Sequence, residues 1–250
     1  MGTVVTIDVY PEPAATESQR AKIPAHIHLA CDLLHRVDEV FSTWRPDSPV
    51  SRLRRGEITA DDAPAEVADV IAACAAAREL SGGWFDPWAM PGGFDPTGYV
   101  KGWAAQRALA VLTPADGVSG AMVNAAGDIA CSGQLPTGQP FRVGIANPAA
   151  PRRLAEIVEL TGAIATSGSY ERGPHLIDPH SGLPAARAAS ASVTGPDLGL
   201  ADALATGLAV AGPDGLAIVE AIAGYAGLII GFDGTRQSTQ GFPFAERGRP

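Results

Sequence analysis

A chain of 250 residues with 46% hydrophobic content has ample apolar sequence for a sizeable core, which excludes an intrinsically disordered protein. A formal net charge of −9 argues against nucleic acid or an anionic membrane surface as the main partner, so an anionic ligand would need local cationic help. The three cysteines, Cys31, Cys74 and Cys131, are far apart and form no Cys-x-x-Cys pair, which gives neither a disulfide framework nor a zinc site and fits a reducing cytosol.

The first residues, MGTVVTIDVY, run straight into an alternating pattern with Val5, Ile7 and Val9 on one face, the mark of a strand over Thr3 to Tyr10. No basic and apolar leader precedes it and no apolar run approaches transmembrane length, so a cytoplasmic protein without membrane insertion is expected. Ile27, Ala30, Leu33 or Leu34, Val37, Val40 and Phe41 recur at helical spacing from about Pro24. His26, His28 and His35 lie around that helix with no shared face toward a carboxylate pair, and are set aside as ligands. Phe41 to Glu57 reads as a loop of turn formers. Asp61 or Asp62 then caps a second helix that ends at Gly82, and a third runs from Lys101 to about Leu112.

Short strands follow at Ala121–Ala125, Phe141–Ala146, Leu154–Leu160 and Ala163–Thr166, with Asn124-Ala-Ala-Gly127-Asp128 as a tight backbone corner. A strand at Ala191–Thr194, helices at Ala201–Ala211 and Gly215–Ala223 and a strand at Gly227–Phe232 complete the pattern, and the tail from Gly234 reads as polar and frayed. Several strands succeed one another without βα alternation, which favours an α+β fold with a largely antiparallel sheet, expected as one domain over 1–250.

The chemistry concentrates in a few places. Ser81 to Arg107 says Phe-Asp-Pro twice, at Phe85-Asp86-Pro87 and Phe94-Asp95-Pro96, in a run dense in glycine and proline that closes on Lys101-Gly102. Lys22 and Lys101 are the chain's two lysines against sixteen arginines, so a compact point charge stands at Lys101 in a chain that otherwise uses arginine. Asp202 and Thr206, at i and i+4, put a carboxylate and a hydroxyl on one helix face. That pair suits a hard cation such as Mg²⁺, or else a helix cap and a threonine bonding back to a carbonyl. His175, with Asp178 three residues on, is either a general base for a hydroxyl or a histidine in a surface turn. Thr166-Ser167-Gly168 offers hydroxyls and amides to a phosphate. No Walker A, Gly-x-Gly-x-x-Gly or Gly-x-Ser-x-Gly motif is present.

In this order the pieces resemble one family, the ApbE flavin transferases (FAD:protein FMN transferases). They are Met1-Gly2-Thr3, Phe41-Ser-Thr-Trp44-Arg-Pro-Asp-Ser48, Gly82-Gly-Trp84-Phe85-Asp86-Pro87, Asp95-Pro-Thr-Gly98-Tyr-Val-Lys101-Gly102 and Asn124-Ala-Ala-Gly-Asp128, followed by Ala165-Thr-Ser-Gly-Ser-Tyr170, His175-Leu-Ile177-Asp-Pro179, Ser192-Val-Thr194 and Ala201-Asp-Ala-Leu-Ala-Thr-Gly207. The resemblance implies a T-fold-like α+β arrangement that binds FAD in a cleft with Mg²⁺ and moves its FMN half onto a serine or threonine of an acceptor protein, releasing AMP. It implies metal ligands at Asp202, Thr206 and the Gly98 carbonyl, FAD contacts at Met1, Trp44, Trp84, Phe85, Asp86, Asp95, Lys101 and Ile177, and His175 as the base beside Asp202. The acceptor pattern it implies is Asp-Gly-x-Ser/Thr-Gly-Ala-Thr.

Such chemistry needs what these residues offer: a cation and Lys101 against the phosphates, a proton acceptor, and an aromatic ring, Trp44, to stack on the flavin. An FAD pyrophosphatase would use the same set with water in place of the acceptor, and a flavin-binding protein without turnover would need no base. The sequence departs from the family at Trp44 (more often tyrosine), at Trp88, in the short segment between the two Phe-Asp-Pro runs, in the single glycine of Asn124-Ala-Ala-Gly127 and at Ala205.

Overall fold

In a computed structural model of the protein, residues 2–113, 115–168 and 176–246 are described. Its strands are β1 (Val5–Pro11), β2 (Val118–Ala125), β3 (Asp128–Gly133), β4 (Phe141–Asn147), β5 (Ala150–Leu160), β6 (Ala163–Gly168), β7 (Ile177–Asp178), β8 (Leu183–Pro184), β9 (Ser190–Gly195), β10 (Ala226–Ile230) and β11 (Arg236–Ser238). Its helices are α1 (Glu17–Arg20), α2 (Ile23–Phe41), α3 (Pro49–Arg54), α4 (Ala65–Leu80), α5 (Thr97–Leu112), α6 (Leu198–Ala211) and α7 (Gly215–Glu220). A seven-stranded sheet in the order β1-β2-β3-β6-β9-β10-β11 carries the fold, and its described pairings are all antiparallel. The α+β architecture read from the sequence is therefore observed.

The period-2 alternation of the strands divides the apolar residues between two faces. Ala191 and Val193 of β9 and Ile229 of β10 join one core with α2, α5 and α6. Ala226, Leu228 and Ile230 of β10, with Ile129 and Ile164, face the other way into a second core under the β4–β5 hairpin, which contributes Phe141, Val143, Ile145, Val158 and Leu160. Since β10 is buried on both faces, it reads in sequence as the unbroken apolar run Ala226-Gly-Leu-Ile-Ile230.

Helix α6 is apolar apart from Asp202 and Thr206, and accordingly twelve of its fourteen residues are buried. It lies tight against α5 because glycines stand at the crossing: a Cβ on Gly102 would lie 2.7 Å from the Leu198 carbonyl carbon, and one on Gly199 would lie 2.9 Å from Tyr99. The close crossing sets the start of α5 against the second turn of α6, and the candidate site lies there.

Several elements differ from the sequence expectation, each for a local reason. The Phe41–Glu57 stretch contains α3, started by Ser48 capping the Ser51 amide with Pro49 next to it, a helix too short to show periodicity. Helix α5 begins one turn earlier than Lys101, because Asp95 Oδ1 accepts from the Thr97 amide and starts the helix there. Strand β3 was not anticipated. It returns from a two-residue turn at Ala126 (φ 51°) and Gly127 (φ 97°), the positive-φ pair that a tight hairpin needs.

The tail is not frayed through its described part: β11 pairs with β10, Phe242 is buried, and Phe244 bridges to Val158. One apolar run does reach transmembrane length. Leu198–Glu220 is long and apolar enough by composition, but it breaks at the single turn Gly212–Asp214 and is largely buried as core.

Candidate active site

A cleft of about 480 Å³ opens where the starts of α5 and α6 meet the end of β6. That volume is in the range of small-molecule sites. Trp44, Trp84, Phe85, Asp86, Asp95, Gly98, Lys101, Ile177, Asp202 and Thr206 all line it, together with Thr166, Ser167 and Gly168. Residues scattered over more than 160 positions of sequence are thus brought to one surface. Met1 and His175, the other two residues singled out from the sequence, lie outside the described residues.

The floor is built from two helices and one strand. Asp202, on the second turn of α6, is only 2% exposed, and its Oδ2 accepts from the Gly102 amide at 3.3 Å. In an α-helix that amide would be directed at the Gly98 carbonyl alone, so sharing it leaves acceptor capacity at Gly98. Thr206, one turn further along α6, meets Ser167 Oγ of β6 at 3.1 Å. A Cβ on Gly98 would lie 3.4 Å from Thr206 Oγ1, an ordinary contact, and 3.2 Å from the Phe85 ring, a tight one, so Gly98 packs closely between Phe85 and Thr206.

Lys101 has partners that the sequence did not reveal. Its ammonium pairs with Asp128 Oδ2 and lies 3.8 Å from Asp202 Oδ1. Asp128, fully buried at the start of β3, takes the Thr166 amide on its other oxygen at 3.1 Å, and Thr166 Oγ1 in turn meets Ser192 Oγ at 2.8 Å. Among the described residues, two carboxylates and one ammonium give this cluster one negative charge, which favours a cation at its open side. Asp128 ends the Asn124–Asp128 corner noted in the sequence, which by itself assigns the carboxylate no role in the site. The available signal was a carboxylate opening a strand immediately after a tight turn.

The oxygen donors fit a hard cation. Asp202 supplies a carboxylate, Thr206 a hydroxyl and Gly98 a backbone carbonyl, the sparse set expected when phosphate oxygens and water complete the shell. Among the described residues no three His, Cys, Asp or Glu side chains cluster as a metal site, so one carboxylate would carry most of the protein's share of the charge.

The walls are aromatic and glycine-rich. Phe85 is buried, whereas Trp44 stands 92% exposed at the rim with its ring open to a planar ligand. Trp84 is held edge-on by His180 (centroids 4.6 Å apart) with the Arg187 guanidinium 5.2 Å over its ring. Asp86 receives Arg78 at 2.7 Å, and Asp95 receives Arg54 at 3.3 Å. Asp178 folds into its own turn, where the His180 amide donates to Oδ1 at 2.9 Å and holds the carboxyl below its ordinary 3.8.

The ApbE family model matches residues 1–93 and 92–229. The chain belongs to the ApbE family. The fold agrees with solved structures of that family. A flavin transferase ApbE from Vibrio cholerae superposes with a TM-score of 0.79 at 24% identity, covering 96% of this chain and 94% of that one. The flavinyl transferase ApbE from Pseudomonas stutzeri, in its apo form, gives 0.79 at 25% identity over 96% and 92%. An ApbE protein from Thermotoga maritima gives 0.78 at 23% over 96% and 94%. A comparison with curated proteins gives no significant match. The sequence-based resemblance to the ApbE flavin transferases is borne out at the level of family, fold and enzyme class.

Proposed function

We propose that the chain transfers the FMN half of FAD to a serine or threonine hydroxyl of an acceptor protein and releases AMP, with Mg²⁺ held by Asp202, Thr206 and the Gly98 carbonyl. The observation that carries this reading is the convergence of all ten described candidate residues on one cleft. We take residues 1–250 as one transferase domain, in keeping with a family match that runs without a gap from 1 to 229.

In the proposed reaction the acceptor hydroxyl oxygen bonds to the phosphorus on the riboflavin side. The bridging P–O bond breaks, and AMP leaves with the bridging oxygen. Bound Mg²⁺ would draw charge from the pyrophosphate oxygens as they approach the transition state. Gly102 and Lys101 hold Asp202, and Ser167 holds Thr206, on the wall of the same cleft. Ser167 and Gly168 present a hydroxyl and an amide at the end of β6, and Trp44 supplies a face for the flavin ring. His175 is the residue proposed to take the hydroxyl proton, on its place in the family's motif.

The test is incubation of the protein with FAD and a peptide carrying Asp-Gly-x-Ser/Thr-Gly-Ala-Thr, with and without Mg²⁺, read by mass. A peptide heavier by the mass of FMN, with AMP released only when Mg²⁺ is present, is the expected result. AMP and free FMN without labelled peptide would make the chain a pyrophosphatase toward this substrate, and FAD binding without AMP would make it a flavin binder.

A further inference from the structure

We propose that Arg54 is a positioning residue of the cleft: its guanidinium pins the glycine-proline wall between Pro87 and Asp95 and so presets the cleft for its ligand. The nature of that ligand rests on the flavin reading above, whereas the clamp rests on geometry.

Arg54 ends α3, and its side chain is only 16% exposed. It donates from Nε to the Gly92 carbonyl at 3.2 Å, from Nη2 to the Pro91 carbonyl at 2.7 Å and from Nη1 to Asp95 Oδ2 at 3.3 Å. A planar fork that reaches two carbonyls and a carboxylate at once is a geometry lysine does not reproduce. Gly92 is the counterpart of the arginine. Its φ is +83°, and a Cβ there would lie 2.8 Å from Arg54 Nη2, so the guanidinium occupies the space that glycine leaves.

The other arm of the wall is held in the same way. Arg78 Nε meets Asp86 Oδ2 at 2.7 Å, and the Asp95 amide closes the segment by donating to the Pro87 carbonyl at 2.8 Å. The two Phe-Asp-Pro copies are therefore matched anchors: each buries its phenylalanine and offers its aspartate to an arginine from a different helix. Asp95 links the clamp to the floor, because its other oxygen accepts from the Thr97 amide and hydroxyl (3.1 and 2.7 Å) at the start of the helix that carries Gly98 and Lys101. Without Arg54 a segment with two adjacent positive-φ glycines, Gly92 and Gly93, would have to be ordered when the ligand binds, and affinity would fall by that ordering cost.

Full-length Arg54→Ala, Arg54→Lys and Gly92→Ala are compared with the unaltered protein in three ways: transfer kinetics over a range of FAD, FAD titration, and hydrogen exchange of residues 88–95 without ligand. Arg54→Ala is expected to raise the KM for FAD tenfold or more while kcat changes less than threefold. Arg54→Lys keeps the charge and still raises KM at least threefold, Gly92→Ala shifts it in the same direction, and exchange over 88–95 quickens in all three. A KM within twofold of the unaltered value in both arginine variants overturns the proposal, as does a kcat that falls as far as KM rises. Unchanged exchange overturns the clamp whatever the ligand is, whereas failure of the unaltered protein to bind FAD overturns the flavin reading instead.

Discussion

The pair that holds the floor of the cleft invites a stability experiment whose outcome follows from burial. Asp128 is fully buried, and its Oδ2 faces the ammonium of Lys101, a side chain that is 22% exposed. Replacing Lys101 by Met strands a carboxylate where water cannot reach it, a loss of about 3–5 kcal/mol for buried pairs, and the partial exposure of Lys101 puts the expectation near about 3 kcal/mol. In a chain of this length that lowers Tm by roughly 6–12 °C. Replacing Asp128 by Asn removes the charge but keeps the oxygen that accepts the Thr166 amide, and Lys101 retains both water and Asp202, so about 1 kcal/mol is expected. The double variant Lys101→Met/Asp128→Asn no longer strands a charge at Asp128 and regains about 2 kcal/mol over Lys101→Met. Urea unfolding of the four proteins, compared at constant m-value, measures this. Additive losses, or a Lys101→Met variant within about 1 kcal/mol of the unaltered protein, would refute the view that Lys101 serves first to neutralise Asp128.

The remaining predictions are local. Ala126 sits at φ 51° in the β2–β3 turn, so Ala126→Gly is expected to stabilise by up to about 1 kcal/mol, the left-handed strain relieved less the added freedom of the unfolded chain; a lower denaturation midpoint would contradict it. Burial pushes the Cys74 thiol up to about 12 and the Cys131 thiol up to about 11, so neither should react with a thiol reagent at pH 8 until the protein unfolds. Above the ordinary value of 9.0 the unfolded thiols lose protons that the folded ones keep, so stability should fall as pH rises through 9 toward 11, and by less in a Cys74→Ala/Cys131→Ala variant if that variant folds. Asp202→Asn keeps an acceptor for the Gly102 amide but removes the carboxylate charge, and should lower Mg²⁺-dependent transfer by at least about 100-fold with Tm within a few degrees; unreduced transfer would remove Asp202 from the metal site.

What the sequence showed and what it hid divide along physical lines. The Asp202/Thr206 face was legible because helical spacing is a local property, and the fully buried α6 announces itself by an apolar run. The strand after Gly127 was hidden because it opens on Asp128, a residue that propensity removes from strands and that tertiary partners, Lys101 and the Thr166 amide, hold there. Arg54 was hidden for a different reason: two of its three acceptors are backbone carbonyls, which have no residue type to read. Helix α3 did carry a signal, Ser48-Pro49, but six residues give periodicity no length in which to appear. The tail misled by its polarity, since it is seated on the hairpin by one buried side chain, Phe242, and by a backbone bridge between Phe244 and Val158, neither of which makes a pattern.

The order of the sheet also dictates how the chain must wait during synthesis. Among the described strands β1 is made before the others, yet its partner β2 begins at Val118, more than a hundred residues later. At ribosomal speeds that interval is on the order of 5–20 s, during which a strand of alternating valine and isoleucine has both backbone edges open. Asp8, exposed in the middle of β1, and Pro11, at its irregular end, are the features that discourage pairing with the wrong chain while the right one is still being made. In the finished sheet β1 remains an outer strand, so the same two residues go on guarding it.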